Sequence, residues 1–163
     1  MTTAGQIFVK VAHHAVGRAE DTLVTLGLGS CVAILLDDPV ARVGGMAHVL
    51  LPEKQLARDS SNLSKFASTA IPLLADEVVA LGGKRERLRA RLVGGASMFA
   101  SLMAPGTLNM GERNVIASRE ALKKLGIPVR GEEVGGDYGR SVRFELATGR
   151  VTVSSVGRPD VAL

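Results

Sequence analysis

A chain of 163 residues with 46% hydrophobic and 22% charged residues fits one globular domain, spanning 1–163, long enough to bury a core. Aromatic residues make up 3% and the net charge is +4, so the basic balance comes with no aromatic set for stacking bases and no nucleic-acid motif; no nucleic-acid partner is expected. The single cysteine cannot form an intrachain disulfide, Met1–Lys10 has no signal-peptide pattern, and no apolar run nears the ~20 residues that span a bilayer, which predicts a cytoplasmic protein without membrane insertion.

Ile7 to Ala12 predicts a first strand, with Ile7, Val9 and Val11 on one face. His13 and His14 follow. Adjacent strand residues point to opposite faces and no cysteine lies near, so no metal site is expected there, and nothing else in the chain implies a cofactor. Gly17–Asp21 reads as a turn and Thr22–Leu28 as a second strand. Gly27-Leu28-Gly29 opens like a dinucleotide fingerprint, but Val32 stands where the third glycine belongs, and Gly83-Lys84-Arg85 lacks the spacing of a phosphate loop.

Gly29 and Ser30 form a sharp turn that leads through Cys31 into the apolar run Val32–Leu36. After the turn signal Asp37-Asp38-Pro39, a second strand-like run ends in Gly45-Met46-Ala47-His48. Paired as neighbours, the two runs bring His48 back towards Cys31. Pro52–Ser64 is a polar connection. Apolar spacing then predicts a helix over Ser64–Leu81, kinked or delayed by Pro72 and stopped by Gly82-Gly83. In Lys84–Arg91 the arginines alternate with Leu88 and Ala90, which predicts a strand over Arg87–Val93 with one solvated face. Met98, Phe99 and Met103 either line a pocket or simply pack. A second helix is expected over Gly111–Leu125, capped by Asn109 and stopped by Gly126. Strands follow at Val129–Val134, Arg140–Leu146 and Val151–Val156. Two helices among strands without regular βαβ alternation give an α+β layered sandwich of mixed β-sheets. With no coiled-coil seam or long apolar stripe, a monomer is expected.

Cys31 admits two readings. One is a small buried hydrophobe; the other is a nucleophile with His48 as its base. The glycine-rich turn favours the second, because backbone N–H groups at Gly29 and Ser30 could hold an oxyanion. Ser30 and Thr25 also place hydroxyls nearby.

The stretch TLGLGSCVAILLDDPVARVGGMAHVLLP resembles the signature of the chemoreceptor glutamine deamidase family, CheD. The resemblance continues through VGGASMF (93–99), NMGERNV (109–115) and GGDYGRSVRF (135–144). It implies hydrolysis of selected glutamine side chains to glutamate on chemotaxis receptors, through a cysteine thioester, on the fold of toxin-type cysteine deamidases. It also implies Cys31 as nucleophile, His48 as base and Thr25 as the residue that orients His48. The implied partners are receptor cytoplasmic helices and a CheC-type phosphatase; the alternative is a regulatory protein that mainly binds that phosphatase. His13-His14 stands where the family pattern tends to carry an acidic-aromatic pair. Arg113, Arg140 and the Gly94-Gly95 turn are candidates for shaping a substrate groove, and are equally explained by turn geometry or a solvated charge.

Overall fold

The computed structural model describes residues 5–98, 102–104, 106 and 108–163. Among these residues, ten strands and two α-helices form an α+β fold: β1 (Gly5–Phe8), β2 (His14–Gly17), β3 (Asp21–Leu28), β4 (Val32–Asp38), β5 (Val43–Val49), α1 (Ala67–Ala80), β6 (Arg89–Gly94), α2 (Met110–Lys124), β7 (Val129–Val134), β8 (Arg140–Glu145), β9 (Arg150–Ser155) and β10 (Arg158–Ala162). They build two five-stranded sheets, one ordered β1-β3-β8-β9-β10 and the other β2-β5-β4-β6-β7. Both are mixed: β1 runs parallel to β3, and β6 parallel to β7.

Three layers follow from where the apolar side chains go. Leu23, Val142, Phe144, Val151 and Val153 of the first sheet pack against Ala33, Leu35, Met46 and Val93 of the second. The opposite face of the second sheet, through Val32, Ile34, Leu36, Ala47 and Val49, packs on α1 and α2. Covered on both sides, β4 and β5 are buried along their whole length, which is why they read as continuous apolar runs. In β8, by contrast, buried Val142 and Phe144 alternate with Arg143 and Glu145.

The helices obey their local signals. Asn109 caps α2 by accepting from the Glu112 N–H at 2.9 Å. Gly82, at φ 112°, closes the end of α1. That helix starts at Ala67, three residues later than the apolar spacing suggests, and it runs on through Pro72.

Several expectations need correction. The first strand is only Gly5–Phe8; Ala12 turns left-handed at φ 61°, and Val11 is exposed. The arginine-rich strand is not half solvated. Arg91 is 5% exposed, because β6 lies inside its sheet with the first sheet over one face and helices over the other. Two short edge strands, β2 and β10, carried no signal strong enough to be expected. Phe99 lies outside the described residues.

Candidate active site

Thr25 and His48 are hydrogen-bonded in the space between the two sheets, and Cys31 belongs to the apolar layer that fills the same space. The β4–β5 ladder pairs Ala33 with His48, so Cys31, two residues before Ala33, shares a face with His48 one diagonal step away. Cys31 also belongs to the apolar layer formed with Ala33, Leu35 and Met46, which places that face towards the first sheet. Thr25 approaches from the first sheet. It lies on β3 with Leu23, on the side turned to the second sheet. After Thr25 the pairing with β8 slips by a bulge up to Leu28, and Gly27 supplies the left-handed φ of 67° that the bulge requires. The strand thus re-aims just before it crosses through Gly29 and Ser30 into β4.

Hydrogen bonding assigns the imidazole tautomer. Thr25 Oγ1 donates to the Val9 carbonyl at 2.6 Å and lies 2.7 Å from His48 Nδ1. A hydroxyl has one proton. With that proton on the Val9 carbonyl, Oγ1 accepts from Nδ1–H, and Nε2 carries the lone pair. Nε2 is buried and has no hydrogen-bond partner among the described residues. An unpaired buried nitrogen is costly, and here it belongs to the ring that shares a face with the only thiol.

Burial sets the protonation of the pair. Desolvation lowers His48 to about 4, so the ring is neutral at neutral pH. Desolvation likewise raises the Cys31 thiol, with its own backbone N–H pulling the other way. The resting pair is therefore thiol and neutral imidazole, and the imidazole does not enrich the thiolate before a substrate arrives. A lone pair on His48 Nε2 suits it to take the thiol proton during attack.

The turn holding Cys31 is braced from behind. Gly29, Ser30 and Cys31 lend their carbonyls to Ala96 N–H (2.8 Å), Asn114 Nδ2 (2.9 Å) and Gly95 N–H (2.8 Å). The N–H groups of Gly29 and Ser30 donate to no backbone carbonyl among the described residues. At Gly94, with φ 111°, a Cβ would come within 2.3 Å of the Cys31 carbonyl, so only glycine allows this approach.

Asn114 escaped the sequence reading. It is fully buried and also donates to the Leu50 carbonyl at 3.0 Å, tying the turn before β4 to the end of β5. A signal existed: Asn114 sits three residues after Gly111 and four before Ser118, on the buried stripe of α2. The Val9 carbonyl had none, since backbone acceptors are silent in sequence.

Two cavities flank the turn. One of about 310 Å³ is lined by Ser30, Ala96, Met98, Met103, Asn109 and Met110, so Met98 and Met103 do border a pocket. The other, about 490 Å³, includes Gly27, Tyr138, Arg140 and Ser154. Arg140 is 3% exposed and bonds to Glu133 and to the Gly135 carbonyl, so it braces a loop rather than offering a free charge. Arg113 is exposed. His13 and His14 turn to different partners: His13 to the Val11 carbonyl, His14 to Ser64 and Glu77. Among the described residues no helix is long and apolar enough to cross a membrane.

Comparison with known proteins adds to this geometry. A family model described as CheD chemotactic sensory transduction matches residues 50–155. The chain is 46% identical over 149 residues to a probable chemoreceptor glutamine deamidase CheD of Caldanaerobacter subterraneus subsp. tengcongensis, covering 91% of this chain and 92% of that protein. Similar relatives with the same name occur in Desulforamulus reducens (44% over 154 residues, 94% and 93% covered) and Moorella thermoacetica (43% over 155 residues, 94% and 93% covered). The family model begins past His48, but alignments of this length leave too few residues outside to miss 25–48. Among solved structures, a Neisseria meningitidis protein shares the fold at TM-score 0.51 and 11% identity, covering 82% of this chain; the chain spans 65% of that protein's length.

Proposed function

The chain belongs to the CheD family, and from that membership we propose that it is a cysteine-dependent protein-glutamine deamidase acting on chemotaxis receptors. The observation that carries the chemistry is His48, which gives Nδ1–H to Thr25 and keeps an unpaired Nε2 on the face it shares with Cys31.

The reaction runs in two halves. His48 Nε2 takes the Cys31 proton as the sulfur attacks the glutamine side-chain carbonyl carbon. The oxygen, now carrying the negative charge, is held by backbone N–H groups, with Gly29 and Ser30 as donors. As the intermediate collapses, the C–N bond breaks, the imidazolium gives its proton to the departing amine, ammonia leaves and a thioester remains. Water, deprotonated by His48, then attacks the thioester; the C–S bond breaks, glutamate is released, and the proton returns to the Cys31 sulfur. Thr25 keeps the ring in one tautomer throughout and is uncharged, so it stabilises the imidazolium less than a carboxylate would. The partners are then receptor cytoplasmic helices, with the reaction in the cytoplasm.

Peptide mapping of a receptor cytoplasmic fragment tests this directly. Incubation with wild type should add about one dalton per modified glutamine, NH₂ becoming OH, while Cys31→Ala and His48→Ala should add nothing. Conversion that persists in Cys31→Ala would overturn the nucleophile. No conversion of any receptor, together with tight binding to a CheC-type phosphatase, would replace the enzyme by a regulatory binding protein.

A further inference from the structure

The segment 9–14 crosses from the first sheet to the second and touches both ends of the Thr25–His48 pair. At its start, the Val9 carbonyl takes the Thr25 hydroxyl proton, and Val9 N–H donates to the Val24 carbonyl at 2.8 Å. At its end, His48 N–H donates to the His13 carbonyl at 3.0 Å, and Ala12 N–H donates to the His48 carbonyl at 2.8 Å. So the outer edge of the His48 backbone rests on Ala12 and His13 alone. These residues lead into β2, a four-residue edge strand entered through a left-handed Ala12 at φ 61°. A short edge strand with such an entry needs an anchor.

His14 supplies it. Its ring lies between Ser64, 2.6 Å from Nδ1, and the Glu77 carboxylate on Nε2. A carboxylate only accepts, so Nε2 donates its proton to Glu77, while Nδ1 shares a hydrogen bond with the Ser64 hydroxyl. Ser64 is buried just before α1, and Glu77 lies on α1, so one side chain ties the edge strand to the helical layer. Asn62 Nδ2 adds a bond to the Ala12 carbonyl at 2.9 Å.

We propose that His14, clamped by Ser64 and Glu77, is a positioning residue for His48, acting through the β2–β5 ladder and the Val9–His14 segment. This rests on the deamidase reading only for its kinetic readout. The two can therefore fail separately.

His14→Ala and Glu77→Ala should each lower kcat on the receptor fragment about tenfold with little change in KM, since a misplaced base loses orientation while the substrate surface stays intact. Glu77→Gln keeps an acceptor for Nε2–H and should stay near wild type; it also serves if His14→Ala folds poorly. Two readouts need no substrate. The His48 Nδ1–H proton resonance should be sharp in wild type and broaden in both alanine variants, and alkylation of Cys31, in which His48 Nε2 takes the thiol proton as the sulfur attacks, should slow across neutral pH. If His14→Ala lowers the melting temperature yet leaves kcat, the resonance and the alkylation rate at wild-type values, the clamp is structural only and the inference falls. If wild type converts no receptor glutamine, the deamidase reading fails, and the resonance and alkylation rate still decide the role of His14.

Discussion

At the C-terminal end of β4, Asp37 and Asp38 are buried and thoroughly paired. Asp37 accepts from Arg89 at 2.9 and 3.1 Å and from Arg91 at 3.3 Å. Asp38 accepts from Arg87 and from the N–H groups of Val40, Ala41 and Lys84. Just before the N-terminal end of the same strand, Cys31 shares a face with His48, whose Nε2 is buried without a partner among the described residues. One strand thus ends in two carboxylates whose oxygens are all paired, although Arg91 Nε beside them is not, and begins beside an imidazole nitrogen left open. Stability alone accounts for the first arrangement, because an unpaired buried carboxylate would be expensive. It does not account for the second, where an unpaired acceptor is what a general base needs.

This contrast can be broken experimentally. The largest effect expected is on Cys31→Ala, which should cut receptor conversion by at least about 10³-fold while shifting stability by under about 1 kcal/mol, since the thiol otherwise acts as a small apolar group. Parallel mass analysis and urea unfolding would check both halves. A large loss of stability would make Cys31 a structural residue after all. At the other end, Asp38→Ala should cost about 4 kcal/mol, because it strands three backbone donors and an arginine, and should leave turnover per folded molecule nearly unchanged.

Titration separates the two ends by pH. Burial depresses His48 from 6.5 to about 4 in the folded protein. Its contribution is full above pH 6.5 and is lost as pH falls towards 4, because the unfolded chain binds the proton first; the loss is up to about 3 kcal/mol. For Asp38, burial by itself would raise the carboxyl, but Arg87 and the three N–H donors outweigh it and hold it well below 3.8. Its contribution is therefore intact above pH 3.8 and lost only as pH falls further. Urea unfolding across pH should show two windows of loss, the upper flattened by His48→Gln and the lower by Asp38→Asn. An upper window that survives in His48→Gln would contradict the buried neutral ring. A smaller effect belongs to Thr25→Val, which removes the acceptor for Nδ1–H and should lower kcat about tenfold, equivalent to ~1.4 kcal/mol, with Thr25→Ser close to wild type.

Much of the site was legible in the chain. The β4–β5 hairpin follows from two apolar runs around Asp37-Asp38-Pro39, and its register brings His48 onto the face of Cys31. Asn109 and Gly126 marked the ends of α2 as local chemistry requires. The arginine strand misled for a physical reason: alternation shows that two faces differ, not whether the polar face is covered. Here Arg89 and Arg91 reach Asp37 on the neighbouring strand, and Arg91 lies 5.4 Å from the Phe144 ring of the other sheet. Edge strand β2 was illegible because its stability comes from His14, Asn62, Ser64 and Glu77, contacts spanning 50 residues or more.

By itself, then, the sequence determined whatever depends on near neighbours: the turn before Cys31, the return of His48, the helix caps and the identity of the one thiol. Tertiary structure alone decided what depends on contacts distant along the chain. It set Val9 as the acceptor that fixes the Thr25 hydroxyl and hence the His48 tautomer, Asn114 as the brace behind Ser30, and the burial that keeps thiol and imidazole both neutral. Backbone acceptors and desolvation have no residue code, because they arise only when separate elements close on one another.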